Sequence, residues 1–178
     1  FVEDDFARSV KGGTGYIKCG GNYAGSLAAQ YKAKKFGYSQ VLWLDGAEKK
    51  YIDEVGTMNV MFVIGDEVLT PALTGTILPG ITRDSVLTLL RDWGVKATER
   101  RITLEELLAA AKNGQLREAF GVGTAAVISP IGEFNIRGER YKVGNGGIGL
   151  LSQKIYTSLT DIQWGRAEDK YGWTVEVK

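Results

Sequence analysis

One lysine has neighbours that could make it reactive. Lys18 lies in the segment KGGTGYIKCGGNYAGSLAAQ (residues 11–30), between two pairs of glycines. Glycines on both sides let a planar ligand lie against the backbone. An amine held among Tyr16, Ile17 and Cys19 would be partly desolvated, which lowers a lysine pKa and supplies the neutral amine that Schiff-base chemistry needs. The segment therefore predicts a reactive lysine rather than a solvated surface charge.

The composition excludes several other chemistries. The 178-residue chain contains no histidine and one cysteine, Cys19. The lack of histidine excludes Ser-His-Asp and Cys-His nucleophiles, and histidine-bound zinc or iron, within this chain. A single cysteine forms no internal disulfide, so we expect a reducing, cytoplasmic setting. Lysine, tyrosine, carboxylates or a borrowed cofactor must therefore carry any catalysis.

Charge and hydropathy give no sign of a nucleic-acid or membrane partner. The net charge of +1 and the 44% hydrophobic content are ordinary for a globular chain, with no pull toward nucleic acid or anionic membrane. No apolar run approaches the roughly 20 residues that span a bilayer. The first residues, FVEDDFARSV, are acidic where a signal peptide is basic. We expect neither a nucleic-acid partner nor a membrane segment.

The elements that would position Lys18 alternate irregularly. The pattern predicts helices at 23–36, about 82–93, 103–113 and about 148–160, and strands at 41–45, 60–64, 67–71, 119–130, 133–143 and 173–177. Thr103 and Glu106 form a capping box, and Gly138 centres a hairpin. No repeat or proline-rich linker divides residues 1–178. The order favours one mixed α/β (α+β) domain over a doubly wound sheet.

A second glycine motif, Gly144–Gly149, matches G-x-G-x-x-G between a strand and a helix. The strand before it, RYKV, is polar and belongs to a hairpin, whereas a dinucleotide fold begins with a buried parallel strand. We therefore interpret the motif as a loop into the last helix rather than as a dinucleotide site.

The segment around Lys18 resembles the lysine segment of the class IV aminotransferases, and GGNYAGSLAAQ is typical of their branched-chain amino acid subgroup. Further stretches agree in order and spacing: VLWLD, EVGTMNVMFV, ILPGITRDSVL, REAFGVGTAAVISPI and LTDIQWGR. The resemblance runs from about Phe6 to the C-terminus. It implies the large, cofactor-binding domain of a pyridoxal-phosphate enzyme that transfers amino groups between leucine, isoleucine or valine and 2-oxoglutarate.

The resemblance also implies catalytic roles. Lys18 corresponds to the lysine that binds the cofactor covalently and moves a proton between the substrate α-carbon and the cofactor. Glu54, in EVGTMN, corresponds to the carboxylate that pairs with the pyridine nitrogen and keeps the ring an electron sink. Tyr23 matches the tyrosine beside the cofactor 3′-oxygen.

Other matching residues are implied to hold the phosphate and the substrate. Arg8, ten residues before Lys18, matches a phosphate-binding arginine. Ile81 and Thr82 open a helix whose N-terminus can bind an anion. Thr124 matches a hydroxyl that also bonds the phosphate. The substrate carboxylate is expected near Thr124 and the backbone of the next residue, Ala125.

Two further residues match the family, and the chain differs from the family pattern in two respects. Thr57 and Asn59 look like secondary contacts, either site or scaffold. Ala126 and Ser129 stand where some mammalian relatives carry a redox-sensitive cysteine pair, so we expect no thiol switch. The family places a smaller N-terminal domain before this region. We therefore expect a single C-terminal domain that is inactive alone, from a full-length parent that is a homo-oligomer.

Three other functions stay open. The same fold serves D-amino acid aminotransferases and aminodeoxychorismate lyases, and a chain can keep the fold without activity. GGNYAGSLAAQ and ILPGITR argue against the first two.

Overall fold

The computed structural model describes residues 1–177. The helices are α1 (Gly20–Lys35), α2 (Ile81–Asp92), α3 (Leu104–Lys112) and α4 (Leu150–Gln163). The strands are β1 (Val2–Glu3), β2 (Leu42–Leu44), β3 (Ile52–Val55), β4 (Asn59–Ile64), β5 (Glu67–Pro71), β6 (Ala97–Arg100), β7 (Leu116–Gly123), β8 (Val127–Pro130), β9 (Glu133–Ile136) and β10 (Glu139–Lys142). No helix among these residues is long and apolar enough to cross a membrane.

The strands form a mixed sheet system. Five strands pair in the order β6-β5-β4-β7-β8, three pair as β1-β2-β3, and β9 and β10 form a hairpin. Most neighbours are antiparallel, but β1 with β2 and β5 with β6 are parallel. A tight turn joins β3 to β4, with Val55 and Met58 bonded to each other in both directions. The expected mixed α/β (α+β) fold class is confirmed.

The core lies on both faces of β4. Because side chains alternate along a strand, Val60 and Phe62 pack on one face and Met61 and Val63 on the other. The first face is covered by α3, and the second by α2 and α4.

Helix α1 begins earlier than the sequence predicts. Cys19 is its N-cap, so the glycine pair forms its first turn, and Gly37, at φ +82°, follows its end. Its buried residues are small: Ser26, Ala29 and Ala33. The larger side chains of Leu27 and Tyr31 are exposed. Small residues facing inward let the helix pack closely, while large apolar residues remain in solvent.

Several sequence predictions need correction. The strand predicted at 119–130 is a hairpin, β7 and β8, with its turn at 124–126. No strand forms over 173–177, where Asp169 instead accepts hydrogen bonds from the amide and hydroxyl of Thr174. The short strands β1, β3 and β6 were not predicted.

The capping box is half formed. The Thr103 hydroxyl accepts the Glu106 amide at 3.0 Å, as predicted. The Glu106 carboxylate does not return a bond to the Thr103 amide but pairs with the Arg100 guanidinium. The helix still begins where the sequence places it, and the carboxylate ties α3 to β6.

We expect Leu107→Ala to lower the free energy of unfolding by about 2–5 kcal/mol, because this fully buried side chain would leave a cavity. The matched control is Leu150→Ala, whose side chain is 89% exposed and which should change stability by less than about 0.5 kcal/mol. Urea denaturation followed by circular dichroism measures both. Equal losses would contradict this assignment of the core.

Candidate active site

A cavity of about 470 Å³ opens where the β3–β4 turn, the start of α2 and the β7–β8 turn meet. It is called the site cavity below. The predicted site residues that line it are Lys18, Glu54, Thr57, Ile81, Thr82, Thr124 and Ala125. The two others, Arg8 and Tyr23, line a smaller adjoining cleft that shares Glu54 and Thr57 with it. Residues far apart in sequence are thus gathered around one opening.

Glu54 is the buried carboxylate of the site. Strand β3 holds its side chain at 4% exposure, with Oε1 accepting the Leu78 amide at 2.8 Å and Oε2 lying 3.4 Å from Arg8 Nε. Burial raises the pKa of Glu54 to about 7, although the Arg8 charge and the Leu78 amide oppose the rise. Desolvation is the larger effect. The carboxyl is therefore poised to exchange a proton near neutral pH.

The neighbouring Asp53 faces a different opening. It lines a cavity of about 300 Å³ together with Lys11, Thr76 and Arg101. Burial raises the pKa of Asp53 to about 6, with the nearby Asp45 charge adding to the rise. Alternation along β3 explains why two adjacent carboxyl groups serve opposite sides of the strand.

The peptide of Leu78 is held from both sides. Glu54 accepts its amide, and Asn59 Nδ2 donates to its carbonyl oxygen at 2.9 Å. A Cβ atom on Gly80 would overlap Asn59 Oδ1, so this position needs glycine. These two hydrogen bonds form a clamp on the Leu78 peptide, which fixes where α2 begins. Asn59, which the sequence left open between site and scaffold, makes this structural contact and also lines the site cavity.

The start of α2 offers unused amides to the site cavity. Gly80 is the N-cap without a side-chain cap, and the Asp84 amide bonds the Gly80 carbonyl. The amides of Ile81 and Thr82 precede that bond, so they lack a partner within the helix. Across the site cavity, Thr124 and its turn are exposed. Free amides and a hydroxyl form a suitable cradle for an anion.

Lys18 reaches the site cavity from the loop before α1. Asn22 holds this loop by donating Nδ2 to the carbonyl oxygens of Thr14 (2.8 Å) and Ile17 (2.9 Å). Lys18 Nζ lies 5.6 Å from the centre of the Tyr23 ring. Sequence reasoning missed Asn22, although it stands in the glycine-rich segment itself.

The expected desolvation of Lys18 is not present. Lys18 is exposed, and the neighbours that were predicted to shield it, Tyr16 (53%) and Ile17 (46%), are exposed as well. The loop brings the amine near Tyr23 and to the same cavity as Glu54 but does not cover it.

Backbone groups of two loops hold the guanidinium of Arg8. Its Nη2 donates to the carbonyl oxygens of Gly15, at 3.0 Å, and of Thr76. It does not line the site cavity with Ile81 and Thr124. The structure groups Arg8 with the carboxylate of Glu54.

The start of α4, after the motif Gly144–Gly149, is already occupied. The Glu118 carboxylate accepts the amides of Leu151 and Ser152, each at 2.9 Å. A Cβ on Gly149 would overlap this carboxylate. An internal anion therefore fills the position that a dinucleotide phosphate would need, which supports the interpretation of the motif as a loop.

A larger groove of about 580 Å³ adjoins the site cavity, with which it shares Gln40, Met58 and Ser129, and it extends to the Tyr38 hydroxyl, which donates to Glu133. None of the predicted site residues lines it. Size alone therefore does not identify the site.

Comparisons with known proteins define the class of this chain. The profile of the family described as "Amino-transferase class IV" matches residues 3–134. The chain belongs to this family. Its mixed fold matches the Escherichia coli branched-chain amino acid aminotransferase with a TM-score of 0.84 and 30% identity, over 99% of this chain and 55% of that one.

Individual relatives are named as branched-chain amino acid aminotransferases. The chain is 54% identical over 177 residues to branched-chain-amino-acid transaminase 1 of Bacillus subtilis (strain 168), covering 99% of this chain and 50% of the relative. The "T.th." branched-chain amino acid aminotransferase complexed with N-(5'-phosphopyridoxyl)-L-glutamate matches with a TM-score of 0.84 and 28% identity, over 99% of this chain and 56% of that one. The chain thus spans about half the length of the relatives it matches. The resemblance stated from sequence is confirmed.

The two raised carboxyl pKa values predict that stability falls as pH rises. The folded chain binds more protons than the unfolded chain between the ordinary and the raised pKa, from 4.5 to about 7 for Glu54 and from 3.8 to about 6 for Asp53. Stability from these groups is therefore complete below the ordinary pKa values and is lost through the raised ones. For Glu54 the loss is at most about 3 kcal/mol.

Urea denaturation from pH 4 to pH 8 measures this effect. Glu54→Gln should remove its share of the decline between pH 4.5 and about 7, and Asp53→Asn its share between pH 3.8 and about 6. The exposed Glu105→Gln variant is the control and should keep the wild-type curve. An unchanged slope in Glu54→Gln would show that its carboxyl titrates normally.

Proposed function

We propose that this chain is the cofactor-binding domain of a pyridoxal-phosphate-dependent transaminase. The full-length polypeptide, meaning the natural translation product that contains these residues, would move amino groups between branched-chain L-amino acids and 2-oxoglutarate. The observation that carries the proposal is the meeting of Lys18, the buried Glu54 carboxylate and the open start of α2 around one site cavity.

The residues fit pyridoxal phosphate. The volume of the site cavity, about 470 Å³, is within the usual range for small-molecule sites. An amine, a buried carboxylate and free helix amides match the aldehyde, the ring nitrogen and the phosphate, respectively. When bound, the cofactor would supply a ring that withdraws electrons from the substrate α-carbon.

The chain's own groups would divide the remaining work. The amine of Lys18 would anchor the cofactor and move a proton at the substrate α-carbon. Glu54 Oε2 would hold the proton at the ring nitrogen, since Oε1 is engaged by the Leu78 amide. The hydroxyl of Tyr23 would lie beside the 3′-oxygen and adjust its basicity.

The opposite wall would bind the anionic groups. The amides of Ile81 and Thr82 and the Thr124 hydroxyl would hold the phosphate, through the helix dipole and direct hydrogen bonds. Thr124 and the Ala125 backbone would meet the substrate carboxylate. Thr57, exposed at the β3–β4 turn, would complete the lining near the ring.

The substrate class rests on the relatives. The Bacillus subtilis protein at 54% identity is named a branched-chain-amino-acid transaminase. The "T.th." enzyme, at 28% identity, is described in complex with 4-methylvaleric acid, a branched aliphatic acid. Initial rates with leucine, isoleucine, valine and D-alanine test this choice. Turnover of D-alanine alone would favour a D-amino acid aminotransferase, and no turnover would favour a non-catalytic fold.

We further infer a cytoplasmic homo-oligomer for the full-length polypeptide. Leu27 and Tyr31, both more than half exposed on α1, support an additional contact surface. Light scattering of the purified full-length polypeptide measures its oligomeric state.

Lys18 should be the residue that binds the cofactor covalently. The full-length polypeptide is incubated with pyridoxal phosphate and reduced with borohydride. Mass spectrometry of its peptides should then place the pyridoxyl group on Lys18. Lys11→Ala removes another exposed lysine of the same loop and should leave the label unchanged, whereas Lys18→Ala should abolish it. A label on another lysine in the wild type would refute the assignment.

Glu54→Gln in the full-length polypeptide should lower kcat more than about 100-fold, equal to about 2.7 kcal/mol, because a neutral amide cannot hold the ring nitrogen protonated. The variant should still bind pyridoxal phosphate, since the phosphate contacts remain. Steady-state kinetics at saturating cofactor, with bound cofactor measured by absorbance, separate the two effects. A rate near that of the wild type would mean that Glu54 is structural.

A further inference from the structure

Arg8 is enclosed by this chain's own groups. Its side chain is 10% exposed and lies in the loop between β1 and α1. Nη2 donates to the carbonyl oxygens of Gly15 and Thr76, and Nε has no hydrogen bond but lies 3.4 Å from Glu54 Oε2. Backbone carbonyl groups therefore hold Nη2 of the guanidinium, while Nε faces the Glu54 carboxylate.

We propose that Arg8 is a positioning residue for Glu54, whose ionised form it favours and whose carboxylate it orients, rather than a ligand of the cofactor phosphate. This inference rests on the proposed function, because it concerns how Glu54 would meet the ring nitrogen.

The backbone around Arg8 opposes its turning toward the phosphate cradle. Gly15 and Thr76 are both buried, and a Cβ on Gly15 would overlap the Thr76 carbonyl oxygen. The two carbonyl groups thus converge on the guanidinium. Rotating Arg8 away would leave buried carbonyl oxygens without a donor, at a cost of about 1–3 kcal/mol each. The arginine consequently joins two loops at the position where it meets Glu54.

The charges that face Glu54 make Arg8 the principal favourable partner. Asp53, next to it on β3, disfavours its ionised form, while Arg8 and the Lys18 amine favour it. The Leu78 amide donates to Oε1, and Tyr23 of α1 lies across the shared cleft. Arg8 has the largest of the opposing effects on a pKa that burial raises to about 7. Without Arg8 the pKa of Glu54 would rise further, so less of the carboxyl would be ionised at neutral pH and its attraction for a protonated ring nitrogen would weaken.

Two probes separate a role at Glu54 from a role at the phosphate. Pyridoxal phosphate and pyridoxal share the ring nitrogen, but pyridoxal lacks the phosphate. Equilibrium titration of the full-length polypeptide with each probe gives the affinity for pyridoxal phosphate divided by the affinity for pyridoxal. This quotient is the ratio used below. The variants are Arg8→Met, which removes the charge, and Arg8→Lys, which keeps it. Thr124→Val is the control for a lost phosphate contact.

We expect Arg8→Met to weaken both probes about tenfold, with their ratio within about twofold of the wild-type value, because the ring-nitrogen partner is lost and the phosphate cradle is not. Thr124→Val should lower the ratio about tenfold, by weakening pyridoxal phosphate alone. Arg8→Lys should keep the wild-type ratio, so the ratio remains measurable if Arg8→Met does not fold. A ratio lowered in either Arg8 variant as in Thr124→Val overturns the inference.

The pH profile provides a second readout. The acidic limb of kcat/KM should move up by about one pH unit in Arg8→Met and less in Arg8→Lys, because loss of the positive charge raises the pKa of Glu54. An unmoved limb in Arg8→Met would contradict the inference. If the wild type binds neither probe, the proposed function fails and the inference fails with it. If the wild type binds both probes but an Arg8 variant lowers the ratio, the inference fails and the proposed function stands.

Discussion

The buried carboxylate of Glu54 is the constraint on which the site depends. Its two oxygens connect separate parts of the chain, since one accepts the amide before α2 and the other lies against the arginine of the loop before Lys18. A buried ionisable group is costly unless it is hydrogen-bonded and paired. Strand β3 provides the position, and the Leu78 amide and Arg8 provide the partners.

This arrangement explains the form of the surrounding backbone. The Leu78 peptide is held by Glu54 and Asn59, so α2 begins at a defined place and its free amides open into the site cavity. Glycine at position 80 allows the close approach to Asn59 that the clamp requires. The Glu54 carboxylate and the start of α2, whose free amides could bind an anion, are therefore linked through the Leu78 peptide.

The sequence predicted those elements whose local pattern agrees with their tertiary environment. The β4–β5 hairpin, α2 and α3 all have regular apolar spacing and clear end signals, and they form close to where they were expected. Strand β3 was missed because its sequence, IDEV, contains two carboxylates that only tertiary partners make tolerable in a buried strand. The segment 173–177 was overpredicted because alternation alone does not supply a neighbouring strand. Candidate site residues were chosen through family motifs, but the loop contacts of Asn22 and the pairing of Arg8 with Glu54 depend on tertiary structure that no local pattern contains.

A direct test of the account is the titration of Glu54 by carbon NMR, with glutamate labelled at the side-chain carboxyl and the signal assigned by its loss in Glu54→Gln. The account predicts a pKa near 7 for this carboxyl, and a lower value once pyridoxal phosphate is added, because a protonated ring nitrogen favours the carboxylate. A pKa close to the ordinary 4.5 that does not respond to pyridoxal phosphate would contradict both the burial of this group and its role at the ring nitrogen.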